Sequence, residues 1–204
     1  MKILFAHGFE GVPTGSKPRY LRETLGHDVI APLMNARGWT FEDQVSAVTD
    51  AMEKHPDIQL LVGSSMGGFA VSVAASRAPD RDLRVLLMAP AVGIHSVWAE
   101  ALGEDGLAKW ANTGQRTHFH RGRGVEVELP YALWTQCRDA AGVVLDHPAV
   151  IIHGLHDETI SIDFAMALAR RSPGIRRLYG VPDGHRLQKS RHLMADAIEL
   201  LFQS

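Results

Sequence analysis

One short pattern limits what this chain can fold into. Gly63-Ser64-Ser65-Met66-Gly67 follows an apolar run at 58–62 and leads into a run of small residues at 69–77. A G-x-S-x-G sequence in that setting predicts a sharp turn from strand to helix, which strains the backbone at Ser65 and lifts its hydroxyl off the sheet. Gly63 and Gly67, with Gly68 beside them, leave room for chain segments that a side chain would block. The string alone is common. Its place between strand and helix separates a nucleophile from a Gly/Ser turn that merely packs a helix closely on a sheet.

The rest of the chain alternates strands and helices. A fully apolar strand is expected at 2–6, ending at His7-Gly8, and a helix at 16–25 with Ser16 near its N-cap. A brief strand at 28–31 stops at Pro32, and 41–54 carries Phe41, Val45, Val48 and Met52 at helical spacing. Strand 58–62, helix 66–77 and strand 83–88 follow. Further on come strand 149–152, helix 161–171, strand 176–181 and a last helix at 187–202. Strands that are apolar throughout, with helices between them, imply a mostly parallel sheet covered on both faces. The expectation is an α/β fold in a single domain over 1–204.

Residues 93–142 interrupt this alternation. The segment mixes Trp98, Trp110 and Trp134 with a polar, basic stretch at 116–123. Its place between strands suggests a small cap over their carboxyl ends, where ligands bind in open α/β sheets. The alternative is a surface excursion with its own small core. His118 and His120 have no third ligand at sensible spacing, so they read as solvated histidines rather than a metal site.

Composition excludes other classes. A net charge of -2 gives no electrostatic case for nucleic acid or an anionic membrane surface. The single cysteine, Cys137, cannot form an internal disulfide and fits a reducing cytoplasm. The first residues read directly into a strand, so no signal peptide is expected, and no run is long enough to span a membrane.

A nucleophilic serine needs a base, an orienter for the base, and donors for the oxyanion. In folds that carry this elbow, the acid and then the histidine follow along the chain, each after a strand. Asp157 lies in the loop after strand 149–152, with Glu158 as its neighbouring alternative. His185 follows the last strand in Pro182-Asp183-Gly184-His185, whereas His192 falls within the last helix. The backbone N–H groups of Met66 and Phe9 are the expected oxyanion donors. His7 precedes a glycine turn and reads as packing that turn by hydrogen bonding.

These motifs together resemble the small bacterial α/β-hydrolases of the YqiA esterase type. The shared features are a first strand ending in His7-Gly8-Phe9, a Ser/Gly/Pro loop into a lysine-containing helix, and the elbow. Pro90-Ala91-Val92, the segment 154–158 and the terminal Asp183-Gly184-His185 complete the likeness, which covers essentially the whole chain. The resemblance implies the α/β-hydrolase fold and carboxylester hydrolysis through Ser65, Asp157 and His185. The stretch 103–128 departs most from the family pattern.

The expected reaction is acyl transfer to water from a small or medium ester or thioester, with no metal or organic cofactor. Phe9, Met66, Trp98 and Trp134 are expected to line the acyl pocket. A carbon–carbon hydrolase or lyase, or a cofactor-free perhydrolase, would use the same triad. A non-catalytic binding module would lack a member of it.

Overall fold

The computed structural model describes residues 1–203. Its strands are β1 (Lys2–Ala6), β2 (Asp28–Ile30), β3 (Leu60–Ser64), β4 (Arg84–Met88), β5 (Gln115–His120), β6 (Val125–Pro130), β7 (Ala149–Gly154) and β8 (Ile175–Val181). Six of them form one sheet in the order β2-β1-β3-β4-β7-β8, with every neighbouring pair parallel. β5 and β6 form a separate antiparallel hairpin. The helices are α1 (Ser16–Arg19), continued by a π-helical turn at Tyr20–Thr24, then α2 (Phe41–Lys54), α3 (Met66–Ser76), α4 (Ile94–Thr113), α5 (Tyr131–Ala140), α6 (Ile162–Arg171) and α7 (Leu193–Phe202).

Strand residues point alternately to the two faces, which is why the strands are apolar throughout. Ile3, Phe5, Leu60, Val62, Leu86, Met88, Val150 and Ile152 pack with Leu21, Met194, Ala197 and Leu201 under the π-helical turn and α7. Leu4, Ala6, Leu61, Val85, Leu87 and Ile151 pack on the opposite face against α2 and α3. Each fully buried Leu or Ile contributes roughly 1.5–3 kcal/mol, so this double burial is what holds the sheet. α2 starts where the sequence expects. The Thr40 hydroxyl accepts the Asp43 N–H at 3.0 Å, and the Asp43 carboxylate accepts the Thr40 N–H at 2.9 Å.

Two expectations need correcting. β3 runs two residues later than 58–62, because Gly63 and Ser64 still pair with Leu87 and Met88 of β4. The last helix starts at Leu193, not 187, because the Asp183 carboxylate accepts the N–H groups of Lys189 and Ser190 and holds that stretch as a turn. Residues 93–142, which interrupt the strand–helix alternation, form a segment of regular elements. It consists of α4, bent where Gly103 adopts a φ of 64°, then the β5–β6 hairpin and α5. Among the described residues, no helix is long and apolar enough to cross a membrane.

Candidate active site

In the sheet order, β1 has β2 on one side and β3 on the other, so the connections from β1 and β3 leave in different directions. A crevice opens between the carboxyl ends of two such strands. Ser65 follows β3 there, and His7-Gly8-Phe9 follows β1. Asp157 and His185 come from the loops after β7 and β8.

The elbow has the geometry the sequence requires. Ser65 sits at φ 56°, ψ −123°, a left-handed conformation that a non-glycine residue occupies only under constraint. Its N–H donates to the Met88 carbonyl at 2.9 Å, and its own carbonyl accepts from Phe69 and Ala91, both at 3.1 Å. A Cβ at Gly67 would overlap the Ala6 carbonyl oxygen, and one at Gly63 would lie 2.5 Å from the Gly67 carbonyl oxygen. Both positions therefore exclude any larger residue.

A continuous hydrogen-bonded line crosses the site. The Ser65 hydroxyl lies 2.9 Å from His185 Nε2, and His185 Nδ1 lies 2.8 Å from Asp157 Oδ2. A carboxylate can only accept, so Nδ1 carries the ring proton and Nε2 is free to accept from Ser65. The Asp157 side chain is 1% exposed. Burial alone would raise its pKa, but hydrogen bonds from His153, His185 and the Ile160 N–H hold it well below the usual carboxylate range. Glu158 takes a different position, accepting the His185 backbone N–H at 3.3 Å. His192 is exposed and caps the start of α7.

The N–H groups of Phe9 and Met66 donate to no protein acceptor among the described residues. The Gly8–Phe9 peptide plane is fixed from behind. His7 Nδ1 donates to the Gly8 carbonyl at 2.8 Å, and the Gly11 N–H reaches the same oxygen at 2.9 Å. In a trans peptide the Gly8 C=O and the Phe9 N–H point in opposite directions, so anchoring the first aims the second. The Met34 N–H donates to His7 Nε2 at 3.3 Å, and burial lowers the His7 pKa, which keeps the ring neutral.

Two histidines have roles the sequence did not reveal. His153, in β7, is fully buried, and its Nε2 lies 3.2 Å from Asp157 Oδ2 and 2.9 Å from the Ile160 carbonyl. Both neighbours accept, so Nε2 holds the proton, and buried Nδ1 has no partner among the described residues. The available signal is a histidine in an apolar strand four residues before the acid. His120 is 1% exposed rather than solvated, and its Nε2 donates to the Phe9 carbonyl at 2.7 Å. Beside it, His118 bonds Glu10 at 3.0 Å, and the Gly122 N–H donates to the other Glu10 oxygen. The hairpin is thus clasped to the loop that carries Phe9. No signal in the sequence links residues so far apart. Among the described residues, no group of three or more His, Cys, Asp or Glu is arranged to hold a metal.

A cavity of about 860 Å³ opens onto Ser65 and His185. Phe9, Met66, Ile94 and Trp98 supply apolar wall, and Phe119 and Arg121 close one side from the hairpin. Trp134 does not reach it. The Trp134 indole donates to the His95 carbonyl at 2.9 Å, and its ring stacks on Tyr131 in the core between α4 and α5.

Comparison with known proteins places this architecture. The family described as uncharacterised protein family UPF0227 matches residues 2–200. No curated protein matches the chain by sequence. The fold is widely shared among solved structures. Mouse alpha/beta hydrolase domain-containing protein 10 superposes with a TM-score of 0.75 at 22% identity, over 98% of this chain and 88% of its own. Est1E from Butyrivibrio proteoclasticus, solved with ferulic acid bound, gives 0.73 at 17% identity, over 98% and 86%. Paleococcus ferrophilus monoacylglycerol lipase gives 0.70 at 17% identity, over 98% and 93%. The chain has the α/β-hydrolase fold.

Proposed function

The chain belongs to the UPF0227 family, and for this member we propose hydrolysis of carboxylic esters or thioesters through a Ser65–His185–Asp157 triad. The observation that carries this reading is the unbroken line of hydrogen bonds from the Ser65 hydroxyl through both His185 nitrogens to the buried Asp157 carboxylate. The esterase and lipase named among its structural relatives support the same class of reaction.

Ser65 Oγ attacks the acyl carbonyl as His185 Nε2 takes its proton. Asp157 holds the tautomer that makes Nε2 the acceptor and stabilises the imidazolium that forms. The oxyanion develops toward the Phe9 and Met66 N–H groups, and each such donor is worth roughly 2.7–4 kcal/mol in the transition state. His185 then protonates the leaving alcohol or thiol. It next deprotonates the water that releases the acid and regenerates Ser65. The segment 93–142 acts as a cap, supplying one wall of the acyl site.

A panel of p-nitrophenyl esters and acyl thioesters of graded chain length tests the reaction, with a fluorophosphonate probe to report the nucleophile. Turnover of the panel with Ser65-dependent labelling is the expected result. Absence of both would overturn the reading.

A further inference from the structure

The walls of the cavity carry an imbalance of charge. Lys17 from α1, Arg186 from the loop beside His185, and Arg121 from the hairpin all line it. Among the described residues, none of the three side chains makes a salt bridge or hydrogen bond. The acids on the same walls are engaged. Glu10 is shared between His118 and the Gly122 N–H, and Glu158 accepts from the His185 N–H. Asp183, whose charge acts on Lys17, accepts N–H groups from Gly184, Lys189 and Ser190. Three cations thus reach the cavity from three elements, against two lining carboxylates, Glu10 and Glu158, that are each hydrogen-bonded elsewhere.

Lys17 differs from an ordinary solvated lysine. Burial lowers its pKa to about 8, with Asp183 raising it and Arg186 and Arg191 lowering it further. An ammonium without a partner in that setting is costly to keep charged unless something negative joins it. Arg121 and Arg186 are exposed, free to fold onto such a group. Both stand on walls that also border Ser65.

We propose that this cavity recognises esters bearing an anionic group, a carboxylate or phosphate placed a few bonds from the scissile carbonyl, with half-buried Lys17 as its anchor and Arg186 and Arg121 closing over it. The assignment rests on the esterase reading for its substrate, but the anion site itself can be tested by binding alone.

The turnover test uses matched pairs. p-Nitrophenyl hemisuccinate against its methyl ester places the anion on the acyl side. 4-(Butyryloxy)benzoate against its methyl ester places it on the leaving group. The wild type is expected to favour the anionic member of at least one pair by about tenfold in kcat/KM, which corresponds to about 1.4 kcal/mol. That ratio should fall toward one in Lys17→Met and in Arg186→Gln, recover in Lys17→Arg, and shrink as salt is raised. The binding test titrates Ser65→Ala protein by calorimetry with the same ester pairs, and with Lys17→Met added. Neutral esters hydrolysed with no preference in either pair would overturn the anion site and leave the esterase reading standing. If no ester is hydrolysed, the esterase reading falls and calorimetry decides. Anionic binding that depends on Lys17 supports the site, and equal or absent binding of both members overturns it. Should Lys17→Met fail to fold, Arg186→Gln carries the same comparison.

Discussion

His120 Nε2 lies 2.7 Å from the carbonyl oxygen of Phe9, joining residues 111 positions apart in the chain. The bond runs from the β5–β6 hairpin to the loop after β1, so the inserted segment helps set the backbone that presents the Phe9 N–H. An insertion of this kind would otherwise be expected to affect substrate choice alone.

Replacing His120 with Phe keeps the ring but removes the donor. The Phe9 carbonyl then loses its partner, at a cost of roughly 1–3 kcal/mol. We expect kcat on a short acetate ester to fall about 10-fold or more, with a smaller change in KM. Steady-state kinetics on p-nitrophenyl acetate, with circular dichroism to verify folding, measure this. An unchanged kcat would show that the hairpin does not support the loop.

Ser65→Ala should reduce ester hydrolysis by at least about a thousandfold and abolish fluorophosphonate labelling. Ser64→Ala should retain substantial activity, because Ser64 ends β3 and pairs with Met88 rather than His185. Equal labelling of wild type and Ser65→Ala would rule Ser65 out as the nucleophile.

Asp157 should leave a signature in stability against pH. Its folded pKa is depressed, so the unfolded carboxylate takes up its proton at a higher pH than the folded one. The stabilisation it provides is full above about pH 4 and declines as pH falls below that value. The stability gap between wild type and Asp157→Asn should therefore narrow in acid, read by urea unfolding from about pH 5 to pH 3. His153→Gln should weaken the hold on Asp157 and lower kcat more than it raises KM. A gap that stays constant would mean that the carboxylate is not held in its charged form.

Lys17 gives the opposite trend. Its folded pKa lies near 8, below that of a free lysine, so the charged form destabilises the fold. That penalty is full below about pH 8 and disappears as pH rises toward the free value near 10.4. Lys17→Met should be more stable than wild type at pH 7, with the difference closing between about pH 8 and pH 10. Thermal unfolding across that range tests it, and a difference independent of pH would point to packing instead.

Trp98 and Trp134 should behave differently. Trp98 lines the cavity, so Trp98→Ala should lower kcat/KM for long acyl esters more than for acetate esters. Trp134 is packed in the core, and Trp134→Ala should cost roughly 3–5 kcal/mol of stability. The ratio of long-chain to acetate turnover, together with denaturant midpoints, separates the two. A shifted ratio in Trp134→Ala at unchanged stability would reverse the assignment.

The sequence alone determined what depends on neighbours along the chain. The apolar strands, the Thr40–Asp43 start of α2, and the glycines that permit Ser65 its strained turn are all local, and so is the order of serine, acid and histidine. Tertiary structure decided what depends on residues far apart. It put His153 behind Asp157, His120 behind Phe9, and Trp134 in the core instead of the cavity. It also gathered Lys17, Arg121 and Arg186 around one space. Hydrogen bonds and unbalanced charge between distant segments leave no periodic trace in a sequence. They exist only once the sheet has brought the carboxyl ends of its strands together.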